Sequence, residues 1–173
     1  MMAIFKLIEP DHWTLKVPVD HCSSDLDREE LAGDLIETMK AHSGIGLSAN
    51  QVGIMERVFV MYSDVKKRET ITFFNPEIVT KSDTEILMDE GCLTYPGLWL
   101  KVKRPDGIEV QYEDKSGEIQ HQAMFGLECR IFLHEYDHME GTNFTQKVSK
   151  IKLNRALKRR SKMVKKSKLV ENQ

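Results

Sequence analysis

Between positions 25 and 42, apolar residues recur at helical spacing, at Leu26, Leu31, Leu35, Ile36 and Met39, with charged residues filling many of the places between them. Such a stripe predicts one amphipathic helix, capped by Ser24 or Asp25 and stopped by Gly44. The pattern then changes. Residues 57–62, 70–74, 77–81, 85–88, 98–102 and 107–112 are short stretches rich in β-branched and aromatic side chains, and predict strands of antiparallel or mixed sheets. Helical spacing returns over 123–139 and ends at Gly141, whose lack of a Cβ suits a left-handed helix cap. A basic segment from residue 147 onwards predicts a third helix. This order, without internal repeats, predicts an α+β domain with mixed or antiparallel sheets around the second helix.

At 173 residues, 40% hydrophobic and 30% charged, the chain suits one compact domain with a real core. No apolar run is long enough to span a bilayer. Residues 1–21 carry Glu9, Asp11 and Asp20 and no long apolar stretch, which predicts no signal or transit peptide and a place in the cytoplasm. Cys22, Cys92 and Cys129 cannot all pair with one another, so each is expected to be a thiol, a metal ligand or core filler. The net charge of −2 hides an asymmetry: residues 147–173 carry 11 of the 25 basic side chains and a single acid, Glu171. That segment is net +10 and the remainder net −12. Its thin apolar stripe of Ile151, Leu153, Leu157 and Val164 is poor for lying in a membrane, so a polyanion such as RNA is the expected contact.

The chemistry concentrates in the second helix. His134 and His138 stand four apart in HEYDH, so both imidazoles share one helix face and can reach one ion, and Glu135 can act as a general base beside it. A catalytic site of this kind needs a third protein ligand. The downstream place that would complete a metzincin protease signature is Phe144, and no histidine follows His138. The third ligand is therefore expected upstream, with Cys92 and His121 as candidates. Cys129, on the histidine helix itself, reads as a small buried hydrophobe. Residues 44–51, GIGLSANQ, lack the lysine of a phosphate-binding loop and follow a helix; they suit a loop lying against an extended substrate, with Gln51 aimed at an oxyanion.

Taken together, GIGLSANQ at 44–51, EGCLT at 90–94 and HEYDH at 134–138 resemble the three ordered motifs of the peptide deformylases. The likeness extends to Lys103-Arg104-Pro105, Ile108-Glu109-Val110, residues 114–117 and Gly126-Leu127, and covers nearly the whole chain. It implies a hydrolase that removes the formyl group from the N-formylmethionyl end of nascent peptides and releases formate. It implies one divalent metal held by Cys92, His134 and His138, ferrous iron in many members, with zinc, nickel or cobalt acceptable to the same donors. Glu135 would be the acid and base, and Gln51 with the backbone N–H of Leu93 would stabilise the oxyanion. Gly46 and Glu90 would shape the site. The methionine side chain would enter a pocket near Ile45, Leu127 and Ile131, with peptide backbone pairing along Gly44, Ile45, Gly46 and Gly91. Residues 1–146 would form the catalytic domain, and 147–173 its basic helix, placed as the ribosome-contacting helix of bacterial members is. A bacterial or bacteriophage source fits this picture.

Four positions depart from the family pattern. Thr94 stands where serine is more usual, and Ser48 and Asn50 where alanine and proline are common. Pro96-Gly97 leads to Trp99 where an arginine is often found, with Lys101 the nearest cation. Two other readings compete: a protease built on the same helix, disfavoured by Phe144, and an RNA-binding module whose metal site is vestigial.

Overall fold

The computed structural model describes residues 3–171, with side chains as far as Val164, so the end of the basic segment lies outside the described side chains. Helix α1 (Arg28–Ala41) begins later than the apolar spacing alone suggests. Asp27, rather than Ser24 or Asp25, is its N-cap, because the Asp27 carboxylate accepts the Glu30 N–H at 2.9 Å. Strands β1 (Gly46–Ser48), β2 (Val58–Asp64), β3 (Glu69–Lys81), β4 (Glu85–Glu90), β5 (Leu100–Pro105), β6 (Gly107–Glu113) and β7 (Ile119–Phe125) follow. Then come α2 (Gly126–Met139) and α3 (Lys150–Glu171).

The strands form a five-stranded sheet in the order β1-β2-β3-β6-β7 and a separate β4-β5 pair. Every pairing among the described residues is antiparallel, so the mixed-sheet alternative falls away. Strand β3 joins the two segments expected at 70–74 and 77–81. Asn75, with φ of 47°, and Pro76 sit where the register with β6 jumps from Phe74↔Glu113 to Glu77↔Gln111. A proline without an N–H is tolerated at such a bulge.

The helix expected over 123–139 is corrected at its start. Residues Ile119–Phe125 are strand β7, and α2 begins only at Gly126, whose φ of 56° turns the chain from strand into helix. Pairing with β6 overrides the helical preference of Ala123 and Met124.

Strand β2 explains where α2 must lie. Its alternate residues Phe59 and Met61 pack toward α2 with Phe132 and Met139, while Val58, Val60 and Tyr62 pack toward α1 with Leu35 and Met39. The strand is thus buried on both faces. Phe59, Phe73 and Phe132 stand with ring centroids 5.1 Å apart, and fully burying each such side chain stabilises the fold by roughly 1.5–3 kcal/mol. The start of the basic helix has a packed face: Ala156 and Leu153 of α3 pack on Leu98, Leu100, Val102 and Phe144.

Candidate active site

Helical spacing in α2 places His134 and His138 one turn apart with ring centroids at 5.3 Å, and both are buried. Strand β4 ends at Glu90, and the turn that follows, closed by the Tyr95 N–H to the Cys92 carbonyl at 2.9 Å, brings Cys92 over the helix. Its Sγ lies 3.4 Å from His138 Nε2. One donor atom each from Cys92, His134 and His138 falls within 4.8 Å of the others. His121 does not join them. It is exposed on β7 opposite Gln111, apart from the other three.

Behind this cluster lies a buried network of charge. Glu90 Oε1 accepts Arg104 Nε at 2.6 Å and Arg130 Nη1 at 2.7 Å; its Oε2 accepts Arg104 Nη2 at 2.9 Å and meets His134 Nδ1 at 3.0 Å. Arg104 Nη1 also donates to Asp137 Oδ2 at 2.8 Å. The Glu90 contact occupies Nδ1 of His134 and leaves Nε2 for the cluster, the arrangement that orients metal-ligating histidines. Burial alone would raise the Glu90 pKa, but hydrogen bonds from Arg104 and His134 hold it well below the usual carboxylate range.

Burial also disfavours the Cys92 thiolate, yet the His138 and His134 rings outweigh it and hold the thiol well below its ordinary value. Against burial, hydrogen bonds to Cys92 and Glu90 raise the His134 pKa to about 10. A thiolate beside two imidazoles is a donor set that suits a divalent transition metal, so the residues present fit such an ion.

Glu135 is buried against the same cluster. Burial raises its pKa, with His134 and His138 pulling the other way. Ser48 Oγ lies 2.7 Å from Glu135 Oε2 and 3.1 Å from its main-chain oxygen. A Cβ on Gly46 would stand 2.9 Å from Cγ and Cδ of Glu135, so only glycine lets β1 come this close. Asn50 Nδ2 donates to the His138 carbonyl at 2.6 Å, tying the same loop to α2. Gln51 is fixed at both ends: its Oε1 accepts the Ser48 N–H at 2.9 Å, and its Nε2 reaches Thr94 Oγ1 at 3.0 Å and Cys92 Sγ at 3.4 Å.

A cleft of about 320 Å³ opens onto this cluster. It is lined by Gly44, Ile45, Gly46 and Gln51 of the first motif, by Gly91, Cys92 and Leu93 from the turn after β4, and by Leu127, Ile131, His134 and Glu135 of α2. Apart from His121, every site residue expected from the sequence lines this cleft or, as His138 does, lies against Cys92. Sequence reasoning missed Arg104, Arg130 and Asp137, and the hydroxyl contact of Ser48. Arg130 had one visible signal, since it precedes His134 by one helical turn.

The polypeptide deformylase family profile matches residues 4–154. The chain belongs to the peptide deformylase family. Among its relatives, the peptide deformylase of Rhizobium meliloti is 35% identical over 163 residues, spanning 92% of each chain. Peptide deformylase 1 of Burkholderia multivorans is 38% identical, over 89% of this chain and 86% of its own. Solved structures agree. A Synechococcus elongatus peptide deformylase in complex with actinonin superposes with a TM-score of 0.85 at 31% identity, over 91% of this chain and 88% of that one. A probable deformylase from Synechococcus phage S-SSM7 gives 0.77 at 33% identity, over 83% of this chain and 99% of that one. Peptide deformylases remove the N-formyl group from formylmethionyl nascent peptides and use a single metal ion, and this chain is a hydrolase of that kind. Among the described residues, no helix is long and apolar enough to cross a membrane.

Proposed function

We propose that Cys92, His134 and His138 hold the single metal ion of this deformylase, that the ion is ferrous iron, and that Glu135 moves the protons of the reaction. The observation that carries this reading is the convergence of those three donors within 4.8 Å, with the Glu135 carboxyl buried beside them. When bound, the ion supplies Lewis acidity at the formyl group and makes water nucleophilic near neutral pH. Zinc, nickel and cobalt suit the same donors, and activity with each ion in turn ranks them.

Hydrolysis adds water to the formyl carbon and breaks its bond to the methionine nitrogen, giving formate and a free amine. Glu135 takes a proton from the attacking water and delivers it to the departing nitrogen; its raised pKa suits a group that works in both forms. Gln51 Nε2, held on the Cys92 side of the cleft, and the backbone N–H of Leu93 donate to the oxygen that gains charge. Ile45, Leu127 and Ile131 receive the methionine side chain, while Gly44, Ile45, Gly46 and Gly91 offer backbone to the extended peptide. Metal content after anaerobic purification should be about one per chain and fall away in Cys92→Ala. Formate should be released from formyl-Met-Ala-Ser and not from its acetylated counterpart.

Residues 1–146 and the basic segment from 147 onwards, whose helix α3 begins at Lys150, act as one domain, supported by the packing of Ala156 on Leu98 and Leu100. That helix docks on ribosomal RNA, which places the enzyme in the cytoplasm of a bacterium or of a phage-infected cell. Its run of Lys150, Lys152, Arg155, Lys158, Arg159 and Arg160 has the electrostatic footprint such a contact needs.

A further inference from the structure

Trp99 lines the cleft, has no part in the reaction described above, and is 64% exposed. It precedes β5 and continues the β4-β5 register: Glu90 pairs with Leu100, which sets Gly91 opposite Trp99. A Cβ on Gly91 would stand 3.1 Å from Cη2 and Cζ3 of the indole, so the six-membered ring rests on bare glycine backbone. One side of the ring is seated and the rest is open to solvent. The other large apolar side chains exposed on this cleft, among the described residues, are Ile45 at 44% and Leu127 at 46%.

We propose that Trp99 reads the side chain immediately after the methionine and favours an aromatic one, which stacks on the open face of its indole. This rests on the peptide placement proposed above. An extended peptide points successive side chains in opposite directions. With methionine directed inward toward Ile131, the next side chain is directed outward to the rim where Trp99 stands. Backbone pairing at Gly91 sets that residue beside the ring, because the indole lies against Gly91. A flat, open aromatic surface selects other planar groups through offset or edge-to-face contact. A competing account is structural: an aromatic side chain laid across a glycine stabilises a strand pair by covering it. That role would affect stability and be blind to the second residue of the substrate.

The test compares kcat/KM for formyl-Met-Phe-Ser and formyl-Met-Ala-Ser in the wild type, Trp99→Ala and Trp99→Phe. The wild type should favour the phenylalanine peptide by roughly fivefold, carried in KM, and the ratio should fall to about 1 in Trp99→Ala and recover in part in Trp99→Phe. Because each ratio is taken within one protein, a smaller folded fraction in a variant cancels. A wild-type ratio of about 1, or an unchanged ratio in Trp99→Ala, would overturn the role of Trp99. Formate from neither peptide would overturn the deformylase site on which it rests, whereas equal formate from both removes only the selectivity.

Discussion

Charge is handled in opposite ways in two parts of this molecule. Around Glu90, two arginines, two acids and a histidine are buried together, and the Arg104 and Glu90 side chains are only 5% and 3% exposed. Each group there has a named partner at 2.6–3.0 Å. On α3, as far as its side chains are described, the basic residues mostly face solvent, and no ion pair among the described residues involves them. The difference teaches what each set of charges is for. Buried, mutually paired charges fix geometry, and here they fix the ring of His134 and the end of β4 from which Cys92 follows. Exposed like charges fix nothing locally and project a field over a Debye length. The same residue type, arginine, is a structural bolt at position 104 and a source of potential at position 159.

Breaking the buried set should have the largest effect. Glu90→Ala leaves Arg130 without a carboxylate and Arg104 with Asp137 alone, and should cost about 3–5 kcal/mol in denaturant unfolding. Removing the partner of His134 Nδ1 should also weaken metal binding by roughly 10–100-fold, read by competition with a chelator. Next comes the foot of the basic helix. Ala156→Asp buries an unpartnered carboxyl against Leu98, Leu100 and Phe144, and should lower stability by about 1–3 kcal/mol.

A half-buried pair lies between the extremes. Burial favours the protonated form of Glu113, but hydrogen bonds from Asn75 and Arg28 outweigh it and lower its pKa. A lowered folded pKa contributes stability above the unfolded value, and that contribution is lost as pH falls through the folded value. Glu113→Gln should therefore be less stable than the wild type by about 1 kcal/mol or less at pH 7, and the gap should close below pH ~4. Paired melts at both pH values check it.

The smallest change in the fold is expected on α3. Lys158→Glu with Arg159→Glu should shift stability by under about 0.5 kcal/mol and leave formate release from short peptides unaltered. Ribosome binding should weaken, with a plot of log affinity against log salt shallower by about 2. Unchanged ribosome affinity would contradict the docking role while leaving the catalytic site intact.

Local signals made much of this legible in the sequence. The apolar stripe of α1, the strand segments after residue 57 and the histidines of α2 each depend on neighbours a few residues away. Where tertiary contacts decided, sequence reasoning slipped. Ala123 and Met124 look helical alone and become strand because β6 lies beside them. The short β1 exists through its pairing with Met61, Val60 and Phe59 of β2. Glu90 of β4, Arg104 of β5 and the pair Arg130 and Asp137 of α2 come from three separate stretches of chain, and no spacing rule connects the three. Ser48 was visible only as a small residue; its bond to Glu135 depends on the approach of β1 to α2, which Gly46 makes possible.

The central claim is that Glu135 moves protons at a metal held by Cys92, His134 and His138. Its most direct test is single-turnover formate release from formyl-Met-Ala-Ser by protein purified anaerobically with iron, comparing the wild type with Glu135→Gln at equal metal content. The account predicts one metal per chain in both proteins and a rate lower by about 10²–10⁴-fold in the variant. Equal rates from two equally loaded proteins would contradict it.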